Sequence, residues 1–120
     1  MAKIPDCHHA IVDVLRLLSS ADEQLAYERR VPQISVTDEL LSIWFDDKYL
    51  PDDRTFRGCF SDSELQAMAA FNDYFDERAD RLPDPSNGVA EWLKDENWRQ
   101  VMHGATELLA ILREREPREP

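Results

Sequence analysis

The sequence predicts an all-α fold, a single-domain helical bundle of four to six helices. Three observations carry this. Apolar residues recur at helical spacing in three long stretches, 7–25, 65–82 and 98–112. Glycine occurs only at Gly58, Gly88 and Gly104, while Leu, Ala, Glu and Arg abound. Pro5, Pro32, Pro51, Pro83 and Pro85 punctuate the chain between these stretches. At 120 residues the chain suits one domain, 1–120, large enough to bury a core without disulfides or metal.

Each element has a local cause. Cys7, Ile11, Val14, Leu15, Leu18 and Leu25 share one helical face after Pro5 and Asp6, which suit a first turn. Ser20-Ala-Asp-Glu23 has the form of a capping box, so residues 6–30 are either two helices or one bent one. Residues 31–37 alternate apolar and polar and predict a short extended piece. Ser35 or Thr37 then caps a helix from about Asp38 to Asp47, apolar nearly all round through Leu40, Leu41, Ile43, Trp44 and Phe45. Residues 48–60 form a long connection pinned by Phe56, Cys59 and Phe60. Ser61-Asp-Ser-Glu64 starts a helix carrying Leu65, Met68, Phe71, Asn72, Phe75, Ala79 and Leu82, ended by Pro83. A turn at 84–88 and a short helical stretch through Trp92 follow. Trp98, Val101, Met102, Ala105, Leu108, Leu109 and Leu112 mark the last helix. Gly104 inside it costs about 1 kcal/mol unless a neighbour needs close approach. The charged tail, 113–120, is expected to fray.

Charge restricts the partners. Twenty-five acids face 14 bases, a net charge of −11. That argues against nucleic acid and against an anionic membrane surface, both of which select basic proteins. No apolar run is long enough to span a bilayer, and the N-terminal stretch lacks a secretory pattern, so the expectation is cytoplasmic. Two reduced thiols at Cys7 and Cys59 are the plainer reading there, with a disulfide the alternative.

The chemistry-bearing residues are sparse. His8 and His9 point about 100° apart on a helix and do not converge on one ion; both read as solvent-facing, and Cys7 as a small core residue. No nucleophile elbow, P-loop or other phosphate-cradling loop occurs. Enzyme activity is not expected, and no catalytic residue, metal site or cofactor is assigned. Asp73, Asp76, Glu77 and Asp80 share one helical face and are the best candidates for a hard cation. Their spacing resembles acidic pairs of all-α prenyl-chain and nucleotide-pyrophosphate enzymes, but no matching second motif is present. A solvated face or a protein contact are the other readings.

The middle of the chain is more informative. Residues 38–84 hold 13 acids and 5 bases, a net −8. Asp46-Asp47 and Asp52-Asp53 flank Lys48-Tyr-Leu-Pro51. Such a cluster, with Tyr49 and Trp44 as aromatic anchors, has the composition of a surface that meets a basic protein. Trp44-Phe-Asp-Asp-Lys-Tyr-Leu-Pro-Asp-Asp53 resembles the tyrosine-and-acid surface of bacterial toxin-immunity proteins of the colicin or contact-dependent-inhibition type, with Leu50 where that family carries a second tyrosine. The resemblance implies neutralisation of a basic toxin domain, a nuclease or another activity, by direct binding, through Trp44, Asp46, Asp47, Tyr49, Asp52 and Asp53 or through Asp73, Asp76, Glu77 and Asp80. The alternatives are a divalent-metal hydrolase using the last four acids, and a helical adaptor or homo-oligomer using an exposed side of Leu40–Phe45.

Overall fold

The structure is a computed structural model that describes residues 6–114. Among the described residues there are seven α-helices and no strand. Helix α1 spans Asp6–Ser19, α2 Ala21–Arg30, α3 Val36–Ser42, α4 Arg54–Arg57, α5 Asp62–Ala79, α6 Val89–Lys94 and α7 Glu96–Arg113. A π-helical turn, Ile43–Lys48, extends α3, and a 3-10 turn, Pro85–Asn87, precedes α6. The seventh helix, beyond the four to six expected, is α4. It forms inside the long connection because Asp53 accepts the backbone N–H of Phe56 and caps it.

Residues 6–30 are two helices, not one. Ser20 is extended and its hydroxyl accepts the Glu23 N–H, which starts α2. Gln24, fully buried, closes the break: its amide donates to the carbonyls of Leu17 and Leu18 at the end of α1, the first of which also accepts the Ser20 N–H. Its side-chain oxygen accepts the indole N–H of Trp98, 74 residues away, at 3.1 Å.

The extended piece expected at 31–37 is a turn. Val31 and Ile34 donate to Tyr27 and Val31, and among the described residues there is no strand to pair with an extended segment. Ser35 is the cap of α3, so that helix starts two residues ahead of Asp38. Thr37 instead donates its hydroxyl to the Pro85 carbonyl at 2.6 Å, tying α3 to the 3-10 turn.

Helix α7 is the axis of the bundle and packs along both α1 and α5, while α6 lies against α2. Its stripe is buried as the spacing predicts: Trp98, Val101, Ala105 and Leu112 are inaccessible to solvent, and Leu108 and Leu109 nearly so. Gly104 faces Phe71, and a Cβ there would stand 3.3 Å from the ring. The close approach of α5 to α7 is therefore the reason for a glycine in mid-helix. Helix α5 begins in a full capping box, Ser61 with Glu64. Helix α6 has no capping side chain of its own. Glu28 of α2 accepts the Val89 N–H at 2.9 Å in its place, beside Gly88 at φ +85°.

Two expectations about α1 are corrected. Cys7 and Cys59 are joined as a disulfide, their Cα atoms 6.1 Å apart, rather than two free thiols. The fold brings the first turn of α1 to the end of the α4 segment, a proximity that no local pattern encodes. His8 is fully buried rather than solvent-facing. Its Nε2 lies 3.4 Å from Glu64 Oε2, and its ring packs on Phe60. The tail beyond Glu114 lies outside the described residues. Among the described residues no helix is long and apolar enough to cross a membrane.

Candidate protein-binding surface

The acidic segment is organised by a π-helical turn. Tyr49 donates its N–H to the carbonyl of Trp44, five residues back, at 3.1 Å. The extra residue in that turn brings the phenol ring beneath the indole. The two rings stack with centroids 4.8 Å apart and planes 7° from parallel. Trp44 also donates its indole N–H to Asn72 Oδ1 of α5 at 3.1 Å and meets Phe71 edge-on. Phe45 packs on Phe75 of the same helix. The apolar π turn is thus clamped on α5, and the acidic loop after it is held beside that helix.

This corrects the role of two expected anchors. Trp44 is fully buried and unable to meet a partner. Tyr49 is 8% exposed, its ring covered by Trp44 and Phe56. Leu40 is buried too, so the side of Leu40–Phe45 read as an exposed oligomer face points inward for its largest side chains. The apolar excess of this segment is core, spent on α5.

The acids remain outside. Asp46, Asp47, Asp52 and Asp53 are exposed on the π turn and the loop after it. Asp73, Asp76 and Glu77 are exposed on α5, and Asp80 at its C-terminal cap. Of these, Asp52 and Asp53 wall a depression with Tyr49. Burial of the ring pushes the Tyr49 hydroxyl above its usual pKa, and the charges of Asp73 and then Asp52 push it further. Asp76 and Asp80 lie farther along α5. Glu77 is within 4.0 Å of both Arg78 and Arg81. Arg78 is turned inward, stacked over Tyr74 and donating to Gln100.

Two shallow depressions flank the loop. One, of about 280 Å³, is walled by Tyr49, Leu50, Pro51, Asp52 and Asp53. The other, of about 270 Å³, lies between α1 and the loop and includes Asp47, Lys48, Asp53 and the disulfide at Cys7. Leu50, 40% exposed, forms the ridge between them. Among the described residues, Asp46, Asp47, Asp52, Asp73, Asp76 and Asp80 have no basic side chain within 4.0 Å. No group of three or more His, Cys, Asp or Glu among the described residues is placed to hold a metal ion.

Three contributors were not assigned to the surface from the sequence, although the disulfide was the alternative reading and Leu50 was part of the family resemblance. Asn72 reads as one polar residue in an apolar stripe, and that misfit was the available signal for its bond to Trp44. Leu50 and the Cys7–Cys59 bridge carried no local signal. A larger groove of about 440 Å³ also lies apart from the acids, between α5 and α7, floored by Gly104 and Phe71. Comparison of the chain with protein-family models, curated proteins and solved structures gave no match.

Proposed function

We propose that the protein is an acidic binding module that neutralises a basic protein, as toxin-immunity proteins do. The observation that carries this reading is the acidic loop around Tyr49, where Asp46, Asp47, Asp52 and Asp53 are exposed and Asp52 and Asp53 wall a depression with Tyr49. The charge of Asp73 on α5 acts on the Tyr49 phenol together with that of Asp52, and among the described residues Asp46, Asp47, Asp52, Asp73, Asp76 and Asp80 have no basic side chain within 4.0 Å, whereas Glu77 has two. Crowded like charges raise the energy of the folded state, and a cationic partner relieves that repulsion. The same field accelerates encounter with such a partner, to as much as ~10⁸–10⁹ M⁻¹s⁻¹ at low salt. A toxin must be captured before it acts, so a fast on-rate serves the role. The segment from Trp44 to Asp53 supports it further through its likeness to the tyrosine-and-acid surface of immunity proteins. The anchor of that surface is here an exposed Leu50 ridge with the Tyr49 hydroxyl, rather than an exposed indole.

The test is to co-produce this chain with the protein encoded beside its gene and to assay growth and complex formation. The reading expects a basic domain that is toxic alone, harmless with this chain, and bound to it in a complex that dissociates as salt rises. A neighbour that is acidic, or that is tolerated equally with and without this chain, contradicts it.

A further inference from the structure

We propose that the Cys7–Cys59 disulfide is a redox switch: oxidised, it holds the segment 50–60 on α1, and reduced by a dithiol, it lets that segment open while the bundle stays folded.

The segment has few other ties. Among the described residues the backbone hydrogen bonds of residues 50–60 close within it, from Asp53 to Leu50, Arg57 to Asp53, Gly58 to Arg54 and Phe60 to Arg57. No ion pair among the described residues reaches it. Apart from the bridge, Phe56 meets Tyr49 and Phe60 meets the ring of His8. Beside the bridge the packing is open. The depression of about 270 Å³ separates Cys7 and Ala10 of α1 from Lys48, Leu50, Thr55 and Phe56. Opening also removes a defect. Nδ1 of His8 is buried and has no hydrogen-bond partner among the described residues, which raises the energy of the closed state. Phe60 covers that ring, so release of the segment's end lets water reach it. Helix α7 packs along α1 and α5 by contacts that do not involve the bridge.

The two sulfurs differ in access. Cys7 is half-buried at the wall of the depression, whereas Cys59 is buried. A thiolate of the dithiol attacks Cys7 Sγ, the S–S bond breaks, and Cys59 leaves as a thiolate that takes a proton from solvent. The second thiolate of the reductant displaces Cys7 from the mixed disulfide, closing a cyclic disulfide. Two electrons and two protons thus pass from the dithiol to the protein. The Cys59 thiol so formed has an acceptor in place, the Thr55 carbonyl 3.4 Å from its Sγ. The switch does not depend on the binding-module reading. Under that reading it decides whether Asp52 and Asp53 are presented on a fixed surface or a loose one.

The experiment compares the oxidised chain, the chain reduced with dithiothreitol, and Cys7→Ser with Cys59→Ser, without any partner. Amide exchange at residues 50–60 is expected to be at least about tenfold faster in the second and third forms. His8 is expected to become reactive to diethyl pyrocarbonate, with the exposed His9 and His103 as internal references. The amide shifts of residues 98–112 keep their native positions in all three, and reoxidation restores the oxidised pattern. The serine pair is expected to be indifferent to dithiothreitol. A reduced chain that unfolds throughout, one whose segment 50–60 exchanges as slowly as before, or one that reoxidation does not restore would each overturn the switch. So would free thiols at both positions in the unreduced protein.

Discussion

The indole of Trp44 and the phenol ring of Tyr49 stack 4.8 Å apart, five residues from one another along a π-helical turn. The stack turns a stretch of sequence rich in both aromatics and acids inside out. The rings go to the core and the carboxylates stay in water.

That arrangement makes Trp44 a structural residue. Trp44→Ala is expected to cost about 3–5 kcal/mol, since it empties a large, fully buried site. Asn72→Ala leaves the indole N–H without its acceptor and is expected to cost about 1–3 kcal/mol. Urea denaturation followed by tryptophan fluorescence measures both. A loss below about 0.5 kcal/mol for Trp44→Ala would place the indole outside the core.

Tyr49 is expected to ionise above the ordinary tyrosine value. Its pKa is raised from the ordinary 10.0, first by burial and then by Asp73 and Asp52. The folded state therefore holds the phenol proton more tightly than the unfolded chain. The stability this confers is fully present below about pH 10 and is lost as pH rises through the folded value. Ultraviolet titration of phenolate formation checks it. Asp52→Asn with Asp73→Asn lowers the Tyr49 value only in part, because burial is the larger cause.

The disulfide closes a separation of 52 residues and ties α1 to the acidic loop's far end. The protein handled without reductant is expected to show no free thiol on denaturation. Reduction, or Cys7→Ser with Cys59→Ser, is expected to cost about 2–5 kcal/mol. Thiol titration and denaturation curves with and without reductant decide this. Two free thiols in the unreduced protein would show that the pair does not form.

Local rules were legible in the residues, and contacts between distant segments were not. The caps at Ser20 and Ser61 and the stripe from Trp98 to Leu112 follow from spacing alone, because both ends of each interaction lie within a helix turn or one helix face. His8 sits one residue from an exposed His9 and reads the same in sequence. The approach of Phe60 and Glu64, more than 50 residues on, covers it. The candidate surface was half legible. Its acids were visible as charge, but the aromatic residues among them looked like anchors until α5 supplied Asn72, Phe71 and Phe75 to cover them. The π turn was invisible because one inserted residue leaves no compositional trace.

Gly88 is a second place where a distant residue decides a local one. Its φ of +85° with ψ of 173° is a conformation open to glycine alone, and an added Cβ would meet the Glu28 carboxylate at 3.3 Å. Gly88→Ala is expected to cost about 1–3 kcal/mol. It also disturbs the bond from Glu28 that caps α6. Hydrogen exchange at Val89 should rise in this variant and in Glu28→Gln.

The most direct test of the account is the association rate with the proposed partner, a basic domain sought in the product of the neighbouring gene, measured by stopped flow across a range of salt. The account predicts a rate that falls about tenfold or more from low to physiological salt, and a flatter dependence once Asp46, Asp47, Asp52 and Asp53 are changed to asparagine. A rate indifferent to salt, or one that these four substitutions leave unaltered, would contradict the claim that this acidic surface is where the partner binds.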